Sequence, residues 1–209
     1  MRLYVDSNYL SPYAMSAFVA LHEKAIPFQV VALDLEAGAN REQSFAKTSI
    51  TQRVPTLVDG EFALSESSAI DEYLEDLYPG TPLYPSGARE RARARQVQSW
   101  LRSDLMPIRQ ERSTEVVFLR PVDRPLSIEA QAAAARLFSA AAEWLSGGRD
   151  YLFDRWSIAD IDLALMLNRL VLNRDRVPDA LAVYAQRQWQ RPSVQLWVKQ
   201  KRPPREPGK

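Results

Sequence analysis

The sequence predicts an α/β domain with the element order βαβ–ββα over residues 1–80, followed by an all-α domain over residues 89–202. Short apolar runs of strand length occur in the first region, whereas the second shows almost only helical periodicity. Between them, residues 81–88 contain two prolines, a serine and a glycine, a composition typical of a linker. Two domains of unlike class are therefore expected.

The composition is that of an ordinary globular protein with a small-molecule partner. The 209 residues are 46% hydrophobic and 25% charged, and the formal net charge of +1 favours neither nucleic acid nor an acidic membrane as a partner. The chain has no cysteine, which excludes disulfides, thiolate metal sites and a thiol nucleophile of the protein itself. Its single histidine, His22, argues against a histidine-rich metal site. Because no stretch resembles a signal peptide or a membrane span, we expect a cytoplasmic protein.

The first domain begins with a βαβ unit. Residues 3–5 are a short apolar run of strand character. Ser11 and Pro12 have the pattern of a helix N-cap and a first-turn proline, and apolar residues then repeat at helical spacing. Residues 28–35 are apolar and rich in β-branched side chains, which predicts a strand buried on both faces. The two strands should be parallel.

A hairpin and a helix complete the first domain. Residues 36–52 are polar and predict a loop with a short helix. The dipeptide Asp59-Gly60 lies between two apolar runs and is typical of a two-residue hairpin turn. Apolar residues at helical spacing then predict a helix that ends before Pro79.

The second domain is predicted from helical periodicity. Ser157 and Asp160 have the spacing of a capping box at the start of one helix. The last residues, 203–209, have no apolar side chain other than proline and are expected to form a disordered tail. Helices are predicted for 89–116, 127–146, 158–173 and 178–190.

The helix after the hairpin starts with a candidate anion site. Its first residues are Ser65-Glu66-Ser67-Ser68. A helix N-terminus carries unpaired N–H groups and partial positive charge, and the hydroxyl of Ser67 would add a further donor. Simple capping of the helix by Ser65 or Ser67 is the alternative, and it is compatible with ligand binding.

Four motifs extend from the first strand to the middle of the second domain. They are Ser11-Pro12-Tyr13, Val54-Pro55-Thr56-Leu57, residues 65–70 (SESSAI) and residues 157–161 (SIADI). With the domain order, they resemble the glutathione transferase family, in particular its serine-type, theta- and tau-like members. The resemblance implies a thioredoxin-like first domain, a helical-bundle second domain, a homodimer, and glutathione as co-substrate, with no metal and no permanently bound cofactor.

The resemblance also implies roles for five residues around glutathione. Pro55 would be cis and would leave the N–H and C=O of Val54 free to pair with the backbone of the cysteinyl unit. Ser67 would bind the γ-glutamyl carboxylate and Glu66 the α-amino group. Arg53 lies where family members carry a polar side chain near the glycyl end.

Ser11 is the residue that the resemblance places beside the glutathione thiol. Lowering a thiol pKa from about 8.5 by about two units takes roughly 2.7 kcal/mol, and a hydrogen bond to a charged group contributes about 1.5–3 kcal/mol. One serine hydroxyl is therefore sufficient in magnitude. Ser7, Asn8 and Tyr9 of the same loop are alternative donors, and a purely capping role for Ser11 also stays open.

The leading functional prediction is a glutathione transferase that lowers the thiol pKa and directs the thiolate at an electrophile. One alternative is a glutathione-dependent reductase of hydroperoxides or disulfides on the same scaffold. The other is a non-catalytic glutathione-binding or regulatory protein, against which the presence of Val54-Pro55 and Glu66-Ser67 argues.

Overall fold

The computed structural model describes residues 1–203, and its first part is a four-stranded sheet with helices. The elements are β1 (Arg2–Asp6), α1 (Pro12–Glu23), β2 (Gln29–Leu33), a 3₁₀ turn (Ala39–Arg41), α2 (Gln43–Thr48), β3 (Thr56–Asp59), β4 (Phe62–Ser65) and α3 (Ser67–Leu77). The strand order is β2-β1-β3-β4. β1 is parallel to β2 and antiparallel to β3, which forms a hairpin with β4. The predicted βαβ–ββα order is confirmed.

β2 is less buried than its sequence predicts. It lies at the edge of the sheet and pairs with β1 alone. Each of its five residues is exposed or half-buried, so the expectation of burial on both faces is wrong. An apolar run predicts a strand, but whether that strand lies at the centre or at the edge depends on the spatial order of all strands in the sheet. The run itself does not determine that order.

The second part of the chain is all helical, as predicted. The segment 89–116 is predicted to be one helix, but the structure divides it among three. Pro107 explains the first break, because it lacks an N–H and its ring would clash with the carbonyl of Ser103, where the first helix ends. The last helix, which starts at Pro192, was not predicted. The helices are α4 (Ala88–Ser103), α5 (Met106–Glu111), α6 (Glu115–Phe118), α7 (Ile128–Trp144), α8 (Ile158–Val171), α9 (Asp179–Trp189) and α10 (Pro192–Val198).

Helix α1 connects the two domains. It packs against α3 of its own domain and against α8 and α10 of the other, and one continuous cluster of buried apolar residues includes all four helices. At the end of α1, Glu23 accepts two hydrogen bonds from the Arg191 guanidinium, both of 2.7 Å, and one from the Ser193 hydroxyl. Helix α1 is therefore held in place by contacts with both domains.

Two features at the ends of the predicted elements complete the fold. The predicted capping box is present at α8, where the N–H of Ser157 donates to Asp160 Oδ2 over 2.8 Å. Apart from Pro203, the predicted tail, 203–209, lies outside the described residues. Within residues 1–203, no helix combines the length and the apolar character that crossing a membrane requires.

Candidate functional site

A cavity of about 600 Å³ lies beside the N-terminal ends of α1 and α3. The second domain contributes Thr114 to its wall. The six residues that the sequence singles out all line the cavity, although they come from three separate stretches of the chain. They are Ser11, Arg53, Val54, Pro55, Glu66 and Ser67.

Ser11 lies in a loop that Asp6 holds in shape. The Asp6 carboxylate, at the end of β1, accepts hydrogen bonds from the N–H groups of Leu10 at 2.6 Å and Ser11 at 3.0 Å. Ser11 Oγ in turn accepts from the N–H of Ala14 at 3.1 Å, so Ser11 is the N-cap of α1. Among residues 1–203, nothing accepts the hydroxyl proton of Ser11, which leaves that proton for a group in the cavity.

The three alternative donors of this loop do not line the cavity. Tyr9 has a positive φ of 51°, and its ring packs against Trp197 at a centroid distance of 5.3 Å. The amide of Asn8 donates to a carboxylate on the protein surface, and the N–H of Ser7 bonds to the end of β2. The loop thus brings Ser11 to the cavity and directs its neighbours elsewhere.

The segment before β3 offers free backbone groups. The Val54-Pro55 peptide bond is cis. Pairing of β1 with β3 starts at Thr56, so Val54 precedes the ladder, and no group of residues 1–203 hydrogen-bonds to its N–H or C=O. An extended ligand backbone in the cavity can pair with these two groups as a neighbouring strand would. Arg53, one residue earlier, is exposed.

The start of α3 is strained and lacks a side-chain cap. Glu66 is its N-cap residue, with φ 74° and ψ 113°, outside the conformations that residues with a side chain favour. Within residues 1–203 no side chain caps the helix, so neither Ser65 nor Ser67 acts as the cap that the alternative interpretation required. Strain of this kind costs about 1–3 kcal/mol and tends to occur at functional sites. Uncapped N–H groups at a positively polarised helix start suit an anion.

Arg102 of α4 reaches the start of α3 from the second domain. Its guanidinium donates to Ser67 Oγ and to Ser68 Oγ, each over 2.9 Å. It also lies 5.2 Å from the centre of the Tyr13 ring. Because Ser67 accepts from Arg102, the proton of the Ser67 hydroxyl is left to donate. Arg102 is not predicted from the sequence, because it lies 35 residues beyond Ser67 in a helix rich in arginine and belongs to no local motif.

A buried carboxyl group lies one turn further along α3. Asp71 is fully buried; its Oδ2 accepts from the Ser16 hydroxyl at 3.3 Å and its Oδ1 has no partner. Burial raises the pKa of Asp71 well above its usual range, and the negative charge of Asp162 raises it further, while Arg102 opposes both. This environment favours the neutral form of Asp71.

Fold and site together define a class of protein. The first domain is an α/β domain with a cis-proline before β3 and a helix without a side-chain cap at the cavity, and it is joined to an all-helical domain. These features are those of a thioredoxin-like ligand-binding domain followed by a helical domain. The family model for the N-terminal domain of glutathione S-transferases matches residues 7–82, and that for the C-terminal domain matches residues 88–201. The chain therefore belongs to the glutathione S-transferase family.

Three relatives illustrate the range of this similarity. A crystal structure of a glutathione transferase homolog from Burkholderia gl BGR1, with bound glutathione, is 43% identical, has a TM-score of 0.77 and is matched over 95% of both chains. Glutathione S-transferase 1 of Dianthus caryophyllus is 30% identical over 78% of this chain and 74% of its own length. Maleylacetoacetate isomerase of Dictyostelium discoideum is 38% identical over 43% of this chain and 42% of its own length.

Proposed function

We propose that the protein is a glutathione transferase that binds reduced glutathione in the cavity of about 600 Å³. The observation that carries this proposal is the uncapped start of α3, which borders the same cavity as the free hydroxyl proton of Ser11. One end of the cavity thus suits a carboxylate and the other a thiolate. Family membership and the glutathione-bound relative support the same ligand.

In this proposal, each part of the tripeptide has a polar partner among the residues that line the cavity. The γ-glutamyl carboxylate would accept from the first N–H groups of α3 and from Ser67, with Glu66 next to the α-amino group. The cysteinyl backbone would pair with the free N–H and C=O of Val54, beside the cis Pro55. The glycyl carboxylate would extend toward Arg53. The cysteinyl thiol would then lie near the wall where α1 begins.

Ser11 is the group that we propose to stabilise the thiolate. Its oxygen accepts from Ala14 and its proton has no acceptor within residues 1–203, so the hydroxyl is free to donate to a partner in the cavity. A hydrogen bond to the charged form of the thiol lowers the thiol pKa. The thiol proton passes to solvent, the sulfur forms a bond to an electrophilic carbon, and the leaving group departs with the electron pair of the broken bond. No protein-borne base is required.

The homodimer is also part of the proposal. Ile50, Phe62 and Leu77 are apolar side chains with 96%, 49% and 59% of their surface exposed. A contiguous exposed apolar patch marks a surface that associates, and these three side chains of the first domain are our candidates for such a patch. Sedimentation equilibrium of the wild-type protein tests this part, and a monomer at all concentrations would contradict it. The cytoplasmic location stays a prediction from the sequence.

Retention on immobilised glutathione is the first test of the proposed function. The retained protein is then assayed with a chloronitrobenzene and with an organic hydroperoxide. Faster turnover of the chloronitrobenzene supports a transferase, and faster turnover of the hydroperoxide supports the reductase alternative. Retention without turnover of either compound indicates the non-catalytic alternative, and absence of both retention and turnover overturns all three.

A further inference from the structure

A second, smaller cavity adjoins the glutathione cavity and is lined by arginines. Its volume is about 30 Å³, and Pro12 and Tyr13 line both cavities. Arg102, Arg109 and Arg169 of the second domain contribute to its wall, as does one carboxylate, that of Asp162. We call it the arginine cavity.

The positive charges of the arginine cavity exceed its negative charge. Asp162 lies 3.9 Å from Arg102 and already accepts a hydrogen bond of 2.8 Å from the Gln98 amide. No carboxylate within residues 1–203 forms an ion pair with Arg109 or Arg169. Buried charges in proteins are normally paired, and Arg169 is a buried charge with no carboxylate partner among these residues.

Arg169 is the side chain that points to a ligand most directly. It is 4% exposed, and its only hydrogen bond in the described part of the chain is the one that Nη1 donates to the carbonyl of Arg112 at 2.7 Å. Its buried Nε–H has no acceptor. Burial lowers the pKa of Arg169 to about 10, and the positive charge of Arg109, which lines the same cavity, lowers it further. A guanidinium with a free donor, next to a second one, is suited to a carboxylate.

The size of the arginine cavity limits what it can hold. A cavity needs about 10–15 Å³ to hold one water molecule, so the arginine cavity has room for a small anionic group and not for a whole acceptor molecule. The rest of the acceptor would therefore lie past Pro12 and Tyr13, in the larger cavity that Ser11 also borders.

We propose that the arginine cavity binds a carboxylate group of the acceptor and that the acceptor substrates are electrophiles carrying a carboxylate. This inference rests on the proposed function, since it presumes glutathione in the larger cavity. The carboxylate accepts from Arg169 and Arg109 while the electrophilic carbon of the same molecule stays beside the sulfur. Apolar electrophiles without an anionic group lack this anchor.

A binding experiment with a matched pair of probes tests the inference without requiring turnover. The protein is first saturated with S-methylglutathione, whose blocked sulfur prevents reaction. It is then titrated by calorimetry with meta-nitrobenzoate and with meta-nitrobenzamide, which have nearly the same shape and differ in charge. We expect nitrobenzoate to bind at least about tenfold more tightly, the preference that one charge-assisted hydrogen bond confers.

Two variants test which arginines cause the preference for nitrobenzoate over nitrobenzamide, and a third variant is the control. Arg169→Gln should reduce the preference for nitrobenzoate to within about twofold. Arg109→Gln should have the same effect, and because Arg109 is half-exposed, this variant can be used if Arg169→Gln fails to fold. Arg136→Gln, which removes an exposed arginine of α7, should keep the wild-type preference. S-methylglutathione affinity should be unchanged in Arg109→Gln.

The outcomes separate this inference from the proposed function. Normal binding of S-methylglutathione with equal affinity for the two probes overturns the carboxylate site and leaves the glutathione site intact. A preference for nitrobenzoate that persists in Arg109→Gln likewise overturns it. Failure of the wild-type protein to bind S-methylglutathione overturns both.

Discussion

The two helix starts that border the glutathione cavity differ in how complete they are. α1 begins with its own cap, Ser11, and Asp6 fixes the loop before it. α3 begins at the strained residue Glu66, lacks a side-chain cap, and is approached by Arg102 of the other domain. The first helix start needs no ligand and offers one hydroxyl proton, whereas the second leaves several N–H groups without a partner. Affinity should therefore depend mainly on α3 and thiol reactivity on α1.

Ser67→Ala should produce the largest change, because it removes a donor to the γ-glutamyl carboxylate. Hydrogen bonds to charged groups contribute about 1.5–3 kcal/mol, so we expect the dissociation constant for glutathione, measured by calorimetry, to rise about 10- to 100-fold. Ser68→Ala is the matched control, since Ser68 accepts from the same arginine but does not line the cavity. Equal losses in the two variants would show that the Ser67 hydroxyl acts only through Arg102.

Ser11→Ala should have the next largest effect, and on a different quantity. We expect the thiol pKa of bound glutathione to rise by about 1–2 units, because the thiolate loses its hydrogen-bond donor, while glutathione affinity changes little. The pKa is measured from the ultraviolet absorbance of the thiolate as a function of pH. Ser11→Thr, which keeps a hydroxyl and a cap, should restore the wild-type value; an unchanged pKa in the alanine variant would contradict the role of Ser11.

Glu66→Gly tests the strain at the start of α3. Glycine accepts a positive φ at little cost, so this variant should be more stable than Glu66→Gln by about 1 kcal/mol in urea unfolding. The glutamine variant is the control because it removes the same charge and keeps the strained backbone. Both variants should bind glutathione more weakly than the wild type. Equal stability of the two variants would show that the backbone at Glu66 stores no strain.

Asp71→Asn should have the smallest effect, which is a change in the slope of the free energy of unfolding against pH. Because the folded pKa of Asp71 is raised, the folded protein keeps a proton that the unfolded chain loses above a pKa of about 3.9. The free energy of unfolding should therefore fall as the pH rises from about 4 toward neutral, and Asp71→Asn should flatten that fall. Urea unfolding at several pH values measures it, with Asp76→Asn, at an exposed position of the same helix, as the control. An unaltered slope would exclude Asp71 as its source.

The sequence predicts those parts of the site that depend on local pattern. Ser11 and the Glu66-Ser67 pair start helices, and a helix start is recognisable from neighbouring residues. The residues before β3 were found through a short motif as well. Arg102, Asp71 and Arg169 were not found, because each acts through contacts with residues far away in the chain. A buried polar residue on a helix has no sequence signature of its own.

The same division applies to the fold. Element type was predictable for the long periodic segments, and the domain order followed from it. The edge position of β2 and the break at Pro107 were not anticipated, the first because strand order is a property of the whole sheet. The proline was visible in the sequence, but the apolar periodicity on both sides of it favoured one continuous helix.

The contact of Arg102 with Ser67 has a consequence for how such a chain can recombine. Ser67, which we propose to bind the ligand, and Arg102, which donates a hydrogen bond to it, belong to different domains on either side of the linker. A chimaera that joins this N-terminal domain to the C-terminal domain of a relative without an equivalent arginine would inherit the ligand-binding loop and lose part of its support. Replacing the C-terminal domain at the linker should therefore change the affinity for glutathione together with the preference for acceptor substrates.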